Sequence, residues 1–227
     1  MREYNERTMN QPRYDKEPLA LPLLAVMAQS GAAIDAILPG AQQRFGDILA
    51  SSPDYDFDAF TDYYAAEFGA GLVKRIIIFA NPREQRHLAE DKLWANAIEE
   101  ELARENEISV GEVRKYRNIH VAAHTSASGS QARTGSEAPE GGRKRSVNLD
   151  PGYLTLSKLV LASTKDHAQR IYLGQAIWAE ITLAFRGKSF TRHPWSYPDY
   201  VAHIPFLNTV RQDMRARLGS EEIHRLR

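Results

Sequence analysis

Strand periodicity between Arg170 and Phe185 constrains this chain more than any other feature of it. Ile177, Ala179, Ile181, Leu183 and Phe185 fall on one side of an extended backbone, and Trp178, Glu180, Thr182 and Ala184 on the other. Arg170 and Tyr172 share a side opposite Ile171 and Leu173. Ahead of this run lies LTLSKLVLAS, apolar apart from Lys158 and its small polar residues. Between the two, Ser163 to His167 supplies short polar side chains that hydrogen-bond their own backbone. The whole reads as a hairpin. Paired with both apolar sets on the core, it leaves Arg170, Tyr172, Glu180 and Thr182 on one polar surface. In the ordinary case that is a solvated sheet face with a cross-strand ion pair. Asp150-Pro151-Gly152-Tyr153 reads as a turn just upstream, since proline fixes φ at one corner and glycine accepts a positive φ at the next.

The first half alternates strand and helix signals. LALPLLAVMA (19–28) reads as a buried strand, and Ser30 as the N-cap of a helix through Phe45, with Ile34, Ile37, Leu38, Ala41 and Phe45 at helical spacing. Pro39 predicts a kink there, or a helix that starts late. Asp47 to Ser52 is a second short strand, and LVKRIIIFA a third by its β-branched content. Between them, carboxylates alternate with Tyr55, Phe57, Phe60, Tyr63, Tyr64 and Phe68. Such rings either line a pocket or pin a surface segment to the core, and pinning is favoured because aromatic burial is the larger energy. Asn81-Pro82 opens the longest helix, from about Arg83 to Glu105, with Leu88, Trp94, Ala95, Ile98 and Leu102 as its apolar stripe. Lys92, Asn96 and Glu99 on a neighbouring face read as solvated, with an internal ion pair. From Val201 onward, Phe206, Leu207, Val210, Met214 and Leu218 form the inner side of a closing helix.

These signals predict a single α+β domain over residues 19–218, with a mainly antiparallel sheet, two principal helices and a C-terminal helix. A polar leader (1–18), a flexible insertion (106–143) rich in Gly, Ser and charge, and a tail (219–227) complete the chain. With 29 basic and 29 acidic residues the formal charge is zero, so nothing global demands nucleic acid or an anionic membrane. There is no cysteine, hence no disulfide frame, thiolate nucleophile or Cys-based zinc site. His120 and His124 have the spacing of a metal pair, but no third ligand accompanies them. No apolar run is long enough to span a bilayer, and a cytoplasmic protein is expected.

Several short patterns together resemble one family. FTDYY (60–64), NLDPGY (148–153), KLVLASTKDH (158–167), RIYLG (170–174), AEITL (179–183) and PWSYPDY (194–200) are similar to the bacterial domain-of-unknown-function family numbered forty-four sixteen. The likeness runs from about Leu19 to about Val210 and departs from the family in the leader and the long insertion. It implies no activity. Relatives are sometimes labelled GTP-binding, and Gly187-Lys188-Ser189 ends like a phosphate-binding loop, but Thr182 stands where that loop needs its first glycine.

Candidate site residues come from their own chemistry. Lys165, His167 and Arg170 suit a phosphate-bearing or nucleotide-like anion, with Tyr172, Tyr153 and Lys158 as further ligand-binding groups. Asp150 and Glu180 supply a metal-binding or proton-accepting edge and, with His167, form the candidate catalytic set. No particular metal or cofactor is indicated. The alternative is an interaction module without catalysis, in which Tyr172 and Trp178, flanked by Arg170 and Lys165, stack single-stranded RNA; the balanced charge disfavours it. Convergence of Asp150, Lys165, Arg170 and Glu180 on one concave pocket separates the readings.

Overall fold

In the computed structural model, which describes residues 17–108 and 145–217, Leu19–Ala28 (β1) is the spine of the fold. Gly31–Phe45 (α1), Ile48–Ser51 (β2), Tyr55–Asp56 (β3), Ala65–Phe68 (α2), Val73–Phe79 (β4), Arg83–Glu84 (β5) and Leu88–Ile108 (α3) follow. The second part holds Val147–Leu154 (β6), Lys158–Ser163 (β7), Arg170–Gly174 (β8), Ile177–Arg186 (β9), Ser189–Arg192 (β10), Pro198–Ala202 (α4) and Ile204–Arg217 (α5). The strands form one sheet in the order β10-β9-β7-β6-β1-β4-β2, with β3 on β4, β5 on β1 and β8 on β9. Every pairing among the described residues is antiparallel. The expected single-domain α+β fold with a mainly antiparallel sheet is therefore the one observed.

Both faces of β1 are apolar because both are covered. Leu24, Val26 and Ala28 pack with Ile34, Ala41 and Phe45 of α1 and with Ala95, Ile98 and Leu102 of α3. Leu21, Leu23 and Ala25 pack on the opposite face with Tyr200, Leu207, Val210 and Met214 of α4 and α5. Each fully buried large aliphatic chain stabilises the fold by roughly 1.5–3 kcal/mol.

Several local expectations change. Ser30 caps α1 by accepting from the Ala33 amide, and the helix starts at Gly31 rather than late, with Pro39 inside it. Arg83 and Glu84 do not open α3: they pair with Ala20 and Leu19, and a 3-10 turn intervenes before Leu88. Asp150 to Tyr153 is not a turn but the heart of β6, because pairing with β1 along eight residues outweighs local turn preference. Pro151 loses no bond to β7, whose pairing begins at Gly152. A Cβ at Gly152 would collide with the Val160 carbonyl oxygen, so glycine lets the two backbones meet there.

The hairpin also differs. β7 pairs with β9 rather than with β8, and β8 joins β9 through Gln175 and Ala176, both with left-handed φ (54° and 56°). Opposite Leu159 and Val160, β9 carries an extra residue, Thr182, so Glu180 and Leu183 come to share a face. Ile171 and Leu173 stay exposed on the edge strand β8 instead of entering the core. Gly187 and Lys188 form the turn into β10, a strand absent from the sequence-based expectation. Residues 1–16 of the leader, most of the insertion and the tail lie outside the described residues, and residues 106–108, expected to begin the insertion, instead end α3.

Candidate functional site

Strand β6 creates the site by having two unequal edges. Toward β1 it pairs from Val147 to Leu154, whereas toward β7 it pairs only from Gly152 to Leu154. Upstream of Pro151 the sheet splits, and buried backbone polar groups there need other partners. Side chains of α3 supply them. Lys92 Nζ donates to the Leu149 carbonyl at 2.8 Å, and the Leu149 amide donates to Glu99 Oε1 at 2.6 Å. The face expected to be solvated is thus turned inward, with Lys92 and Glu99 buried. Burial raises the Glu99 carboxyl above its ordinary value, outweighing Lys92, the Leu149 amide and Arg145, which favour the charged form.

A basin of about 860 Å³ opens at this split, within the range of roughly 300–1,000 Å³ usual for small-molecule sites. Its aromatic wall comes from two places. Phe60, Tyr63 and Tyr64 line it from the stretch between β3 and α2, while Phe57 and Phe68 pack on Met27 and Leu72. That stretch is both pinned to the core and a pocket wall. Tyr197 and Tyr200 come from the start of α4. Burial raises the phenols of Tyr64, Tyr197 and Tyr200, so they remain O–H groups at neutral pH.

Charges on the lining are nearly all matched. Lys74 Nζ meets Asp199 at 2.8 Å, buried between the rings of Phe57 and Tyr200, and Asp199 also accepts from the Tyr55 hydroxyl. Arg145 holds Glu67 through two bonds, at 2.6 and 3.0 Å, and Glu99 at 2.8 Å, and these bonds, Glu67 first, raise its pKa. Lys92 lies 3.7 Å from Asp150, which accepts from Asn148. Arg170 is spent on structure: Nε donates to Glu180 at 2.9 Å, one terminal nitrogen to Ser163 Oγ and the Lys165 carbonyl, and the other to the Tyr197 hydroxyl. Its pair with Glu180 is the expected cross-strand one, but buried rather than solvated. Among the described residues Lys165 is the one lysine or arginine on the lining with no carboxylate within ion-pair distance; its Nζ donates to the Tyr63 hydroxyl at 2.8 Å.

Of the residues singled out from the sequence, Asp150, Lys165, His167, Arg170 and Glu180 line this basin. Tyr172, Tyr153 and Lys158 do not. Tyr172 stands exposed against Trp178 on the β8 hairpin, Tyr153 packs with Leu88 and Val160 on the other face of the sheet, and Lys158 lies opposite Ala184 at the far end of β7. Sequence reasoning missed Lys74, Lys92, Asn96 and Arg145. A lysine inside the strand VKRIIIF and a polar set at helical spacing beside an apolar stripe were the available signals. Among the described residues no three His, Asp or Glu side chains gather closely enough to hold a metal ion, so a metal edge at Asp150 and Glu180 has no support from the geometry. No helix among them is long and apolar enough to cross a membrane.

The chain belongs to the family described as Domain of unknown function (DUF4416), which it matches over residues 18–115 and 132–214. Those two stretches contain every residue that lines the basin. No curated protein and no solved structure matches the chain.

Proposed function

We propose that this family member binds a small organic anion, phosphate-bearing or nucleotide-like, in the basin at the split of the sheet. The observation that carries this reading is the convergence of Asp150, Lys165, Arg170 and Glu180, with aromatic side chains beside them, on one concave cavity of about 860 Å³. The rings suit a planar group. Lys165 and His167 at the rim receive the anionic end. Arg170 positions them, since it ties the Ser163–Lys165 turn to β9 and to Tyr197. Asp150, part-exposed on the lining, is the group placed to accept a proton should the ligand react. A cytoplasmic setting fits a ligand of this kind. The interaction-module alternative has weaker support: Tyr172 and Trp178 lie outside the basin, and the basic residues that would flank them, Lys165 and Arg170, line it instead.

A thermal-shift screen against nucleotides, sugar phosphates and inorganic phosphate tests the reading. A ligand at a hundredfold its dissociation constant adds about 2.7 kcal/mol of stability to the parent. Lys165→Ala should leave the unliganded midpoint within about 0.5 kcal/mol, as at other exposed positions, and abolish most of the shift. No shift of the parent by any of these compounds refutes the proposal.

A further inference from the structure

Two buried polar atoms of basin-lining residues have no hydrogen-bond partner among the described residues: Glu180 Oε1 and the Tyr200 hydroxyl. Glu180 is 2% exposed and Tyr200 1%. The other carboxylate oxygen of Glu180, Oε2, is fully engaged, accepting from Arg170 Nε at 2.9 Å and from Gln169 Nε2 at 3.2 Å. The pair with Arg170 therefore leaves one charged oxygen bare in a dry setting, and buried acceptors of that kind are rarely left without a donor. Gly152, Leu161 and Ala162 on the neighbouring strands bring no side-chain donor to it. Tyr200 makes the opposite demand. Burial holds its phenol well above the ordinary value, so it has a hydrogen to give, while its neighbour Asp199 already takes those of Tyr55 and Lys74.

We infer that the ligand of this basin carries an N–H group that donates to Glu180 Oε1 and an acceptor for the Tyr200 hydroxyl, so that the site selects amine- or amide-bearing anions over counterparts lacking the N–H. This rests on the reading of the basin as an anion site and adds the identity of the opposite end. The anion belongs at the rim with Lys165, and the N–H at the floor with Glu180. A water molecule satisfies Glu180 only weakly as a selector, since water accompanies every ligand alike. An N–H on the ligand discriminates, because a partner without it strands a buried charge. The same chemistry has two sources, the exocyclic amine of a nucleobase and a primary amine.

Calorimetric titration of the parent with two matched pairs separates the outcomes. Adenosine 5′-monophosphate is compared with purine riboside 5′-monophosphate, which lacks the amine, and phosphoethanolamine with ethyl phosphate, which has no donor at that end, with inorganic phosphate as the common reference. The expected result is a preference of roughly tenfold or more for the amine-bearing member of one pair, and the pair that responds identifies the source. In Glu180→Gln the bare oxygen can become an amide N–H while the remaining oxygen still accepts from Arg170, so the preference should fall to near unity. If that variant does not fold, the preference within the parent decides alone. Tyr200→Phe should weaken both members of the responding pair; unchanged affinity removes Tyr200 from the inference. Equal binding within each pair overturns the inference and leaves the anion site standing. A preference that survives Glu180→Gln overturns the assignment to Glu180. Absence of binding by every probe overturns the anion site and this inference with it.

Discussion

The two edges of β6 are solved by different chemistry. On the β1 side, eight consecutive residues pair main chain to main chain, and aliphatic layers cover both faces. On the other side only three residues pair, and Leu149 is satisfied by the buried side chains of Lys92 and Glu99. Main-chain pairing closes a sheet and leaves no space. Side-chain partners reach across a gap and hold it open. Long charged chains buried as pairs are weak sources of stability, since desolvation offsets most of their attraction. Their presence around the split supports the proposed use of the cavity as a binding site.

The largest effect that can break this comparison is at the Lys74–Asp199 pair. Asp199→Ala strands a buried ammonium and should destabilise the protein by about 3–5 kcal/mol in urea unfolding; a loss below about 1 kcal/mol would mean the basin floor is wet rather than buried. Next comes the closed side. Leu24→Ala, in the layer under α1 and α3, should lose about 2–5 kcal/mol, yet leave the ligand-induced thermal shift of the surviving folded protein unchanged. Gly152→Ala acts where the edges part, since its Cβ collides with the Val160 carbonyl. A loss of about 1–3 kcal/mol is expected, together with weaker binding, because the collision moves β7 relative to β6.

The smallest effect is one of pH. Burial holds the Glu99 carboxyl above its ordinary value of 4.5, so as pH rises the folded protein keeps this proton after the unfolded chain has lost it. The contribution of Glu99 to stability is complete below that value and is lost as pH rises from it through the higher folded value. Glu99→Gln should remove this decline from a plot of unfolding free energy against pH. An unchanged slope would place Glu99 in solvent.

Much of the fold was legible because burial imposes a period. The strand at Leu19–Ala28, the helix capped by Ser30 and the existence of a strand at Ile177–Arg186 follow from which side chains must leave water, whereas the extra residue at Thr182 breaks the alternation expected along that strand and leaves Ile181 exposed. Asp150-Pro151-Gly152-Tyr153 misled because its turn preference is local, while the eight pairs that override it come from a strand more than a hundred residues earlier. The polar cluster from Asp150 to Glu180 stood out between apolar runs, and its candidate residues Asp150, Lys165, His167, Arg170 and Glu180 line the basin. Tyr172 fails geometrically: two residues past Arg170, it lies about 7 Å farther along β8. Tyr153 fails by parity, falling on the opposite face from Asp150. Lys92 and Glu99 were invisible as site residues because a helix face tells nothing of whether water or a gap in a distant sheet lies opposite.

Amide hydrogen exchange, read by peptide with and without the nucleotide or phosphate that most stabilises the parent, tests the central claim most directly. The split basin predicts added protection in the segments that line it, residues 57–67, 145–150, 161–170 and 197–200, with the β1–β4 core unchanged because it is already protected. Protection confined instead to the exposed β8 edge, at Ile171 to Leu173, would contradict it.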